Sequence, residues 1–171
     1  MLIFKSAAEL QGFLKQPDNA KKSVGFVPTM GALHQGHLNL ISRCVEENDL
    51  SICSIFVNPT QFNNPDDLEK YPRIPEQDFD LLRNAGCDVV YFPDVEEIYP
   101  EGPVTRVYDL GPVVEPMDGK FRPGHFQGVA TVVHIFLRHV NPHRAYFGKK
   151  DYQQLLVIRR LVEIENLPVE I

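Results

Sequence analysis

Short apolar runs alternate along this chain with segments whose apolar residues recur every three or four positions. Leu2–Phe4, Val24–Val27, Ser51–Val57 and Asp88–Phe92 have the length and the β-branched or aromatic content of strands. Ala145–Phe147 is a shorter candidate ended by Gly148, and Val104–Leu110 is another. A helix is predicted to open at Ser6, where Glu9 three residues on completes a capping box, and to run to about Gln16. A second helix runs from about Gly36 to Glu47, with Leu38, Ile41 and Val45 on one face. Gln77–Ala85 is helical and stopped by Gly86, and Phe126–Val140 is an apolar helix. Asp151–Glu165 turns Leu155, Ile158, Leu161 and Val162 inward, with Asn166 as its C-cap. The polar stretch 61–75, with Pro65, Pro72 and Pro75, is longer than common connections and reads as a functional loop. Strands alternating with helices predict an α/β fold, a parallel sheet with helices on both faces. Leu167–Ile171 starts a further strand pattern and stops, so the chain reads as truncated.

Composition narrows the function classes. The net charge is −6, the opposite of the basic surplus that non-specific nucleic-acid binding needs. No apolar run approaches the ~18 residues of a membrane span. The N-terminus lacks a basic region and a small-residue cleavage site. Cys44, Cys53 and Cys87 are an odd count without CxxC spacing, which fits a reducing, cytoplasmic setting.

Four segments carry candidate chemistry. In Pro28-Thr29-Met30-Gly31-Ala32-Leu33-His34-Gln35-Gly36-His37 a strand feeds a loop that opens a helix. Unpaired N–H groups and the helix dipole favour an anion there, and two imidazoles stand beside them. Gly36 has no Cβ, so a flat ring such as adenine could lie against it. The alternatives are two surface histidines at a helix cap, or a zinc pair with no further ligand obviously placed. Asn58-Pro59-Thr60-Gln61-Phe62 follows the next strand, at the end of the sheet where open α/β folds bind ligands. Its amides suit carboxylate and hydroxyl groups, unless they form only an Asn-Pro turn with a solvated Gln. Gly148-Lys149-Lys150-Asp151 precedes the last helix, and Asp151 with Gln154 has capping-box spacing. A lysine at a helix start runs against the dipole and is better explained by an anion it helps to hold. Met117-Asp118-Gly119-Lys120-Phe121-Arg122 reads alone as a solvated loop before a helix.

Together the stretches PTMGALHQGH, SIFVNPTQF with DDLEKYPR, GKFRPGHFQGVATVV and FGKKDYQQ, in this order, closely resemble the pantoate–β-alanine ligase family. That family belongs to the H-x-G-H nucleotidylyltransferase superfamily. The resemblance implies a Rossmann-like domain binding ATP and pantoate, with Mg²⁺ on the ATP phosphates and no metal held by the protein itself. It implies that pantoate is adenylated with release of pyrophosphate, and that β-alanine displaces AMP to give pantothenate. It also implies a homodimer, and that residues 1–171 are the N-terminal ATP- and pantoate-binding domain, with a C-terminal lid domain and a second phosphate loop beyond Ile171. On this resemblance His34, His37 and Lys150 stabilise the leaving pyrophosphate. Pro28, Thr29, Met30, Gly31, Gly36, Gly148, Lys149 and Asp151 line the ATP site, with Gly148 and Asp151 at the ribose. Gln61 and Gln154 hold pantoate, with Met30 and Phe62 on its apolar side and Asn58, Asp118 and Arg122 in support. Tyr71 has a supporting role.

Three positions depart from the family pattern. Asp118 stands where a Glu is expected, Met117 replaces a usual Leu, and Lys149 replaces a common acidic residue. A sister nucleotidylyltransferase would share H-x-G-H but leave Gln61, Gln154 and the FRPGHF segment unexplained. A non-catalytic nucleotide-binding module would bind without turnover.

Overall fold

The computed structural model describes residues 1–171. Its elements in chain order are β1 (Leu2–Phe4), α1 (Ala7–Leu14), β2 (Val24–Thr29), α2 (Gln35–Glu47) and β3 (Leu50–Ile55). Then come α3 (Pro65–Lys70), α4 (Pro75–Asn84), β4 (Val89–Tyr91), α5 (Val95–Ile98) and α6 (Asp118–Phe121). The chain finishes with α7 (His125–Val140), β5 (Arg144–Ala145) and α8 (Tyr152–Ile164). Single 3₁₀ turns lie at Pro59–Gln61, Gly111–Val114 and Lys149–Asp151.

The five strands form one parallel sheet in the order β1-β4-β3-β2-β5. From β2 the chain adds β3 and β4 on one side, then returns to place β5 on the other side of β2. The direction of winding therefore reverses at β2, and in open α/β sheets ligands bind at such a switch point, outside the carboxyl ends of the strands. Alternate residues divide the core. Val24, Phe26, Leu50, Ile52, Val89 and Tyr91 pack with α1, α7 and α8, while Val27, Cys53, Ile55 and Val90 face α2 and α4. That second layer also holds Cys44 and Cys87, so all three thiols are buried. No helix is long and apolar enough to cross a membrane.

Several boundaries differ from the sequence expectation. Residues 104–110 form no strand. Their backbone is instead held by side chains of α7: Arg106 N–H donates to Thr131 Oγ1 at 3.0 Å and Tyr108 N–H to Gln127 Oε1 at 2.9 Å. The stretch 61–75 is not an open loop. Pro65 starts α3, Asn64 caps it, and Arg73 closes its far end by donating to the Leu68 and Glu69 carbonyls. Of 145–147 only Ala145 lies in β5. The tail makes a single bridge, Glu170 beside Arg144. Asp151 precedes α8 but its side chain makes no cap hydrogen bond, so the expected capping box with Gln154 does not form. Glu165 is the C-cap of α8, and Asn166, with φ of +48°, follows it in the left-handed conformation.

Candidate functional site

At the carboxyl ends of β2, β3 and β5 the chain encloses a cavity of about 660 Å³. Pro28, Thr29 and Met30 enter it from β2, Gln61 and Phe62 from the turn after β3, and Lys150 and Asp151 from the turn after β5. His37 stands in the first turn of α2, and Gln154 in the first turn of α8. Asp118 and Arg122 come from α6 and its end, and Tyr71 from the end of α3. The floor is apolar, built from Phe56 and from Phe126, Val129, Val132, Val133 and Phe136 of α7. The six other candidate residues do not line this space. Gly31, His34 and Gly36 shape the H-x-G-H loop, Gly148 and Lys149 open the turn before α8, and Asn58 lies buried beneath Gln61.

The two histidines form a capping pair. His34 is the N-cap of α2, and its Nδ1 accepts from Gly36 N–H at 3.1 Å. His37 Nδ1 accepts from His34 N–H at 3.4 Å, and the rings stack with centroids 4.0 Å apart. With both Nδ1 atoms accepting, the proton of each neutral ring sits on Nε2. The cap thus fixes two N–H donors of one tautomer at a helix N-terminus. Burial lowers the His37 pKa, and the neighbouring His34 adds to this; Asp78 and Asp151 oppose it. Gly36 owes its lack of a side chain to His34: a Cβ there would lie 2.9 Å from the His34 ring.

Asp78 holds this loop in place. It is 1% exposed in α4, and its two oxygens accept from Ala32 N–H at 2.9 Å and Leu33 N–H at 2.8 Å. Those bonds stabilise two successive left-handed residues, Gly31 at φ +79° and Ala32 at φ +50°. Sequence reasoning missed Asp78. Its signal was an acidic residue at a helical position that shares a face with Leu82, where an apolar residue is expected.

Gln61 is held from several sides. Its backbone carbonyl accepts from Arg122 Nη2 at 3.1 Å and from His125 Nδ1 at 2.9 Å. A carbonyl can only accept, so His125 carries its proton on Nδ1 and its Nε2 accepts from Arg122 Nη1 at 3.3 Å. Burial, aided by the Arg122 charge, lowers the His125 pKa and favours the neutral ring. The sequence patterns do not single out His125. Gln153, also not foreseen, donates to the Val113 and Pro116 carbonyls at 2.8 Å and accepts from Asp118 N–H at 3.2 Å. It ties α8 to the segment that carries Asp118. Phe62 and Tyr71 meet edge-to-face at 5.7 Å across α3. Lys150 is exposed at the rim, 3.4 Å from Asp151.

The arrangement suits a ligand with an anionic end at the α2 terminus and a compact apolar body over α7. Residues 2–171 match the family model described as Pantoate-beta-alanine ligase. The chain is 55% identical over its whole length to a pantothenate synthetase of Porphyromonas gingivalis, of which it covers 60%. It is 51% identical to that of Aquifex aeolicus, again spanning 60% of the relative. The crystal structure of the Thermus thermophilus pantothenate synthetase superposes with a TM-score of 0.91 at 51% identity, over 99% of this chain and 60% of that one. A pantoate-beta-alanine ligase from Francisella tularensis, complexed with Beta-gamma ATP and Beta-alanine, gives 0.94 at 40% identity, over 99% and 65%. The chain therefore spans about 60% of the length of the curated relatives it matches, and it belongs to the pantoate-beta-alanine ligase family.

Proposed function

We propose that residues 1–171 build the ATP- and pantoate-binding wall of an AMP-forming ligase that joins pantoate to β-alanine. The observation that carries this reading is the pairing, at one switch point, of fixed imidazole donors and Lys150 with an apolar pocket topped by Gln61 and Gln154. A carboxylate oxygen of pantoate attacks the α-phosphorus of ATP, the bond to the bridging oxygen breaks, and pyrophosphate leaves. The β-alanine amine then attacks the acyl carbon, its proton passes to water, and AMP departs. The chain supplies no nucleophile. Its work is alignment and stabilisation of developing charge. His34 and His37 act as neutral Nε2–H donors to phosphate oxygens, and Lys150 approaches from the opposite turn. Gln61 and Gln154 grip the polar groups of pantoate, and Met30, Phe62 and the α7 floor take its apolar side.

Magnesium fits this site as a passenger on ATP. No three His, Cys, Asp or Glu side chains converge to hold an ion, and both Asp78 oxygens are engaged by backbone N–H groups. When bound, the ion neutralises phosphate charge. The rest of the relatives' length, in this reading, supplies a closing domain, and the enzyme is a cytoplasmic homodimer. The decisive experiment is calorimetric titration of the wild type, Gln61→Ala and Gln154→Ala with pantoate and with ATP. Each substitution removes a bond to a charged group, ~1.5–3 kcal/mol, and weakens pantoate roughly 10- to 150-fold with ATP unchanged. Equal losses for both ligands would sink the assignment.

A further inference from the structure

We propose that Tyr99 is a positioning residue: through Asn58 it sets the Gln61 side chain so that its NH₂ group, and not its carbonyl, faces the cavity. The inference rests on the reading of Gln61 as a pantoate ligand for its consequence, and on geometry alone for its substance.

Tyr99 is buried, follows α5, and does not line the cavity. Its hydroxyl donates to Asn58 Oδ1 at 2.7 Å, the shortest of the contacts to that oxygen. Thr60 adds its Oγ1 at 3.1 Å and its N–H at 3.4 Å. On its other side Asn58 Nδ2 donates to the Gly128 carbonyl at 3.2 Å and to Gln61 Oε1 at 2.9 Å. Two of these partners, the Thr60 N–H and the Gly128 carbonyl, are backbone groups whose polarity cannot change. Asn58 is thereby read unambiguously, oxygen toward Tyr99 and nitrogen toward Gln61. Gln61 Oε1 is then turned toward a donor from below, so the amide presents its Nε2–H₂ on the side away from Asn58.

The chain of bonds has no slack. Asn58 is 1% exposed, and a Cβ at Gly128 would collide with the Thr60 carbonyl, so α7 is pressed against the turn that carries Gln61. Burial raises the Tyr99 pKa, which keeps the phenol protonated and donating. A Gln61 that presents its NH₂ donates to carboxylate or hydroxyl oxygens of a ligand and disfavours one whose matching group is itself a donor. Tyr99 therefore contributes to selectivity without touching the substrate.

The test uses the ¹⁵N-labelled chain and Tyr99→Phe, which keeps the ring and removes only the hydroxyl. The side-chain amide resonances of Asn58 and Gln61 should move while those of Gln153 and Gln154 stay in place. The Kd for pantoate should rise roughly three- to tenfold, the scale of one ordinary hydrogen bond, with the Kd for ATP unchanged. Asn58→Asp is the second variant. It puts an acceptor beneath Gln61, turns that amide over, and should weaken pantoate further than Tyr99→Phe. An unmoved Gln61 amide in Tyr99→Phe, or parallel losses for pantoate and ATP, would overturn the proposal. If the wild type takes up no pantoate, the functional reading fails by itself, and the Gln61 resonances still decide the positioning role.

Discussion

At the amino ends of β2, β3 and β4 the polar groups answer one another. Ser23 donates its N–H and hydroxyl to Asp49 Oδ2 at 2.9 and 2.7 Å, while Asp49 N–H returns a bond to Ser23 Oγ at 2.9 Å. Ser51 and Asp88 repeat the pattern one strand along, at 2.9, 2.7 and 3.0 Å. The carboxyl ends of β2, β3 and β5 differ. There His34 and His37 keep one ring N–H each unspent, Gln61 keeps its NH₂, and Lys150 has only an exposed carboxylate beside it. A closed exchange of hydrogen bonds stabilises the fold and offers nothing to a ligand. A set of donors held firmly from behind and left open in front is what binding requires.

The strongest way to break this contrast is His37→Ala. Loss of one preorganised donor should lower pantoate-dependent pyrophosphate release about 10²–10³-fold, or ~3–4 kcal/mol. The thermal midpoint should move little, because the ring gives the fold one long hydrogen bond and its stacking on His34. Normal pyrophosphate release in this variant and in His34→Ala would remove both residues from the chemistry.

Asp78→Asn blurs the contrast, since Asp78 lies at the binding end yet belongs to a closed exchange. An amide cannot accept with both its atoms from Ala32 and Leu33, so one buried N–H is orphaned and a charge-assisted bond is lost. Denaturant unfolding should show a loss of about 2–3 kcal/mol, together with weakened ATP binding as the Gly31–Ala32 loop relaxes. Unchanged stability would mean that the left-handed loop holds itself.

Ser51→Ala probes the other end. It should cost about 1 kcal/mol of unfolding free energy and leave both ligand affinities as they were. A ligand effect would contradict the division of labour between the two ends.

Mild acid gives the smallest effect and acts on both. Burial lowers the pKa values of His37, His125, His134 and His139, so between those values and the ordinary ~6.5 the unfolded chain binds more protons than the folded one. Stability should rise with pH through this window. Scanning calorimetry from about pH 7.5 down to about pH 5.5 should show a midpoint falling by a few degrees. A constant midpoint would place these histidines in more polar surroundings than the fold gives them.

Much of this was legible in the sequence because the site follows the ends of elements. H-x-G-H, NPTQ and GKKD each sit where an apolar strand run stops, and periodicity alone puts such points on one edge of a parallel sheet. The supports behind them were not legible. Asp78, Tyr99, His125 and Gln153 act across 35 to 64 positions of chain, on partners that no local period connects. Residues 104–110 failed for a related reason. Their strand-like composition found no neighbouring strand edge, and Thr131 and Gln127 of α7 took the backbone groups instead. The Asp151–Gln154 pattern failed in the other direction, since a 3₁₀ turn replaces the cap its spacing suggests.

The three thiols between the sheet and helices α2 and α4 give the protein a clock. Burial pushes Cys44 up to about 12 and Cys87 up to about 11, and holds Cys53 well above the ordinary range, so at neutral pH almost no thiolate exists while the core is shut. Alkylating reagents and dissolved oxygen must then wait for this layer to open. How long the reduced protein survives in air is set by how often its core breathes, and a disulfide reagent added in excess counts those openings one by one.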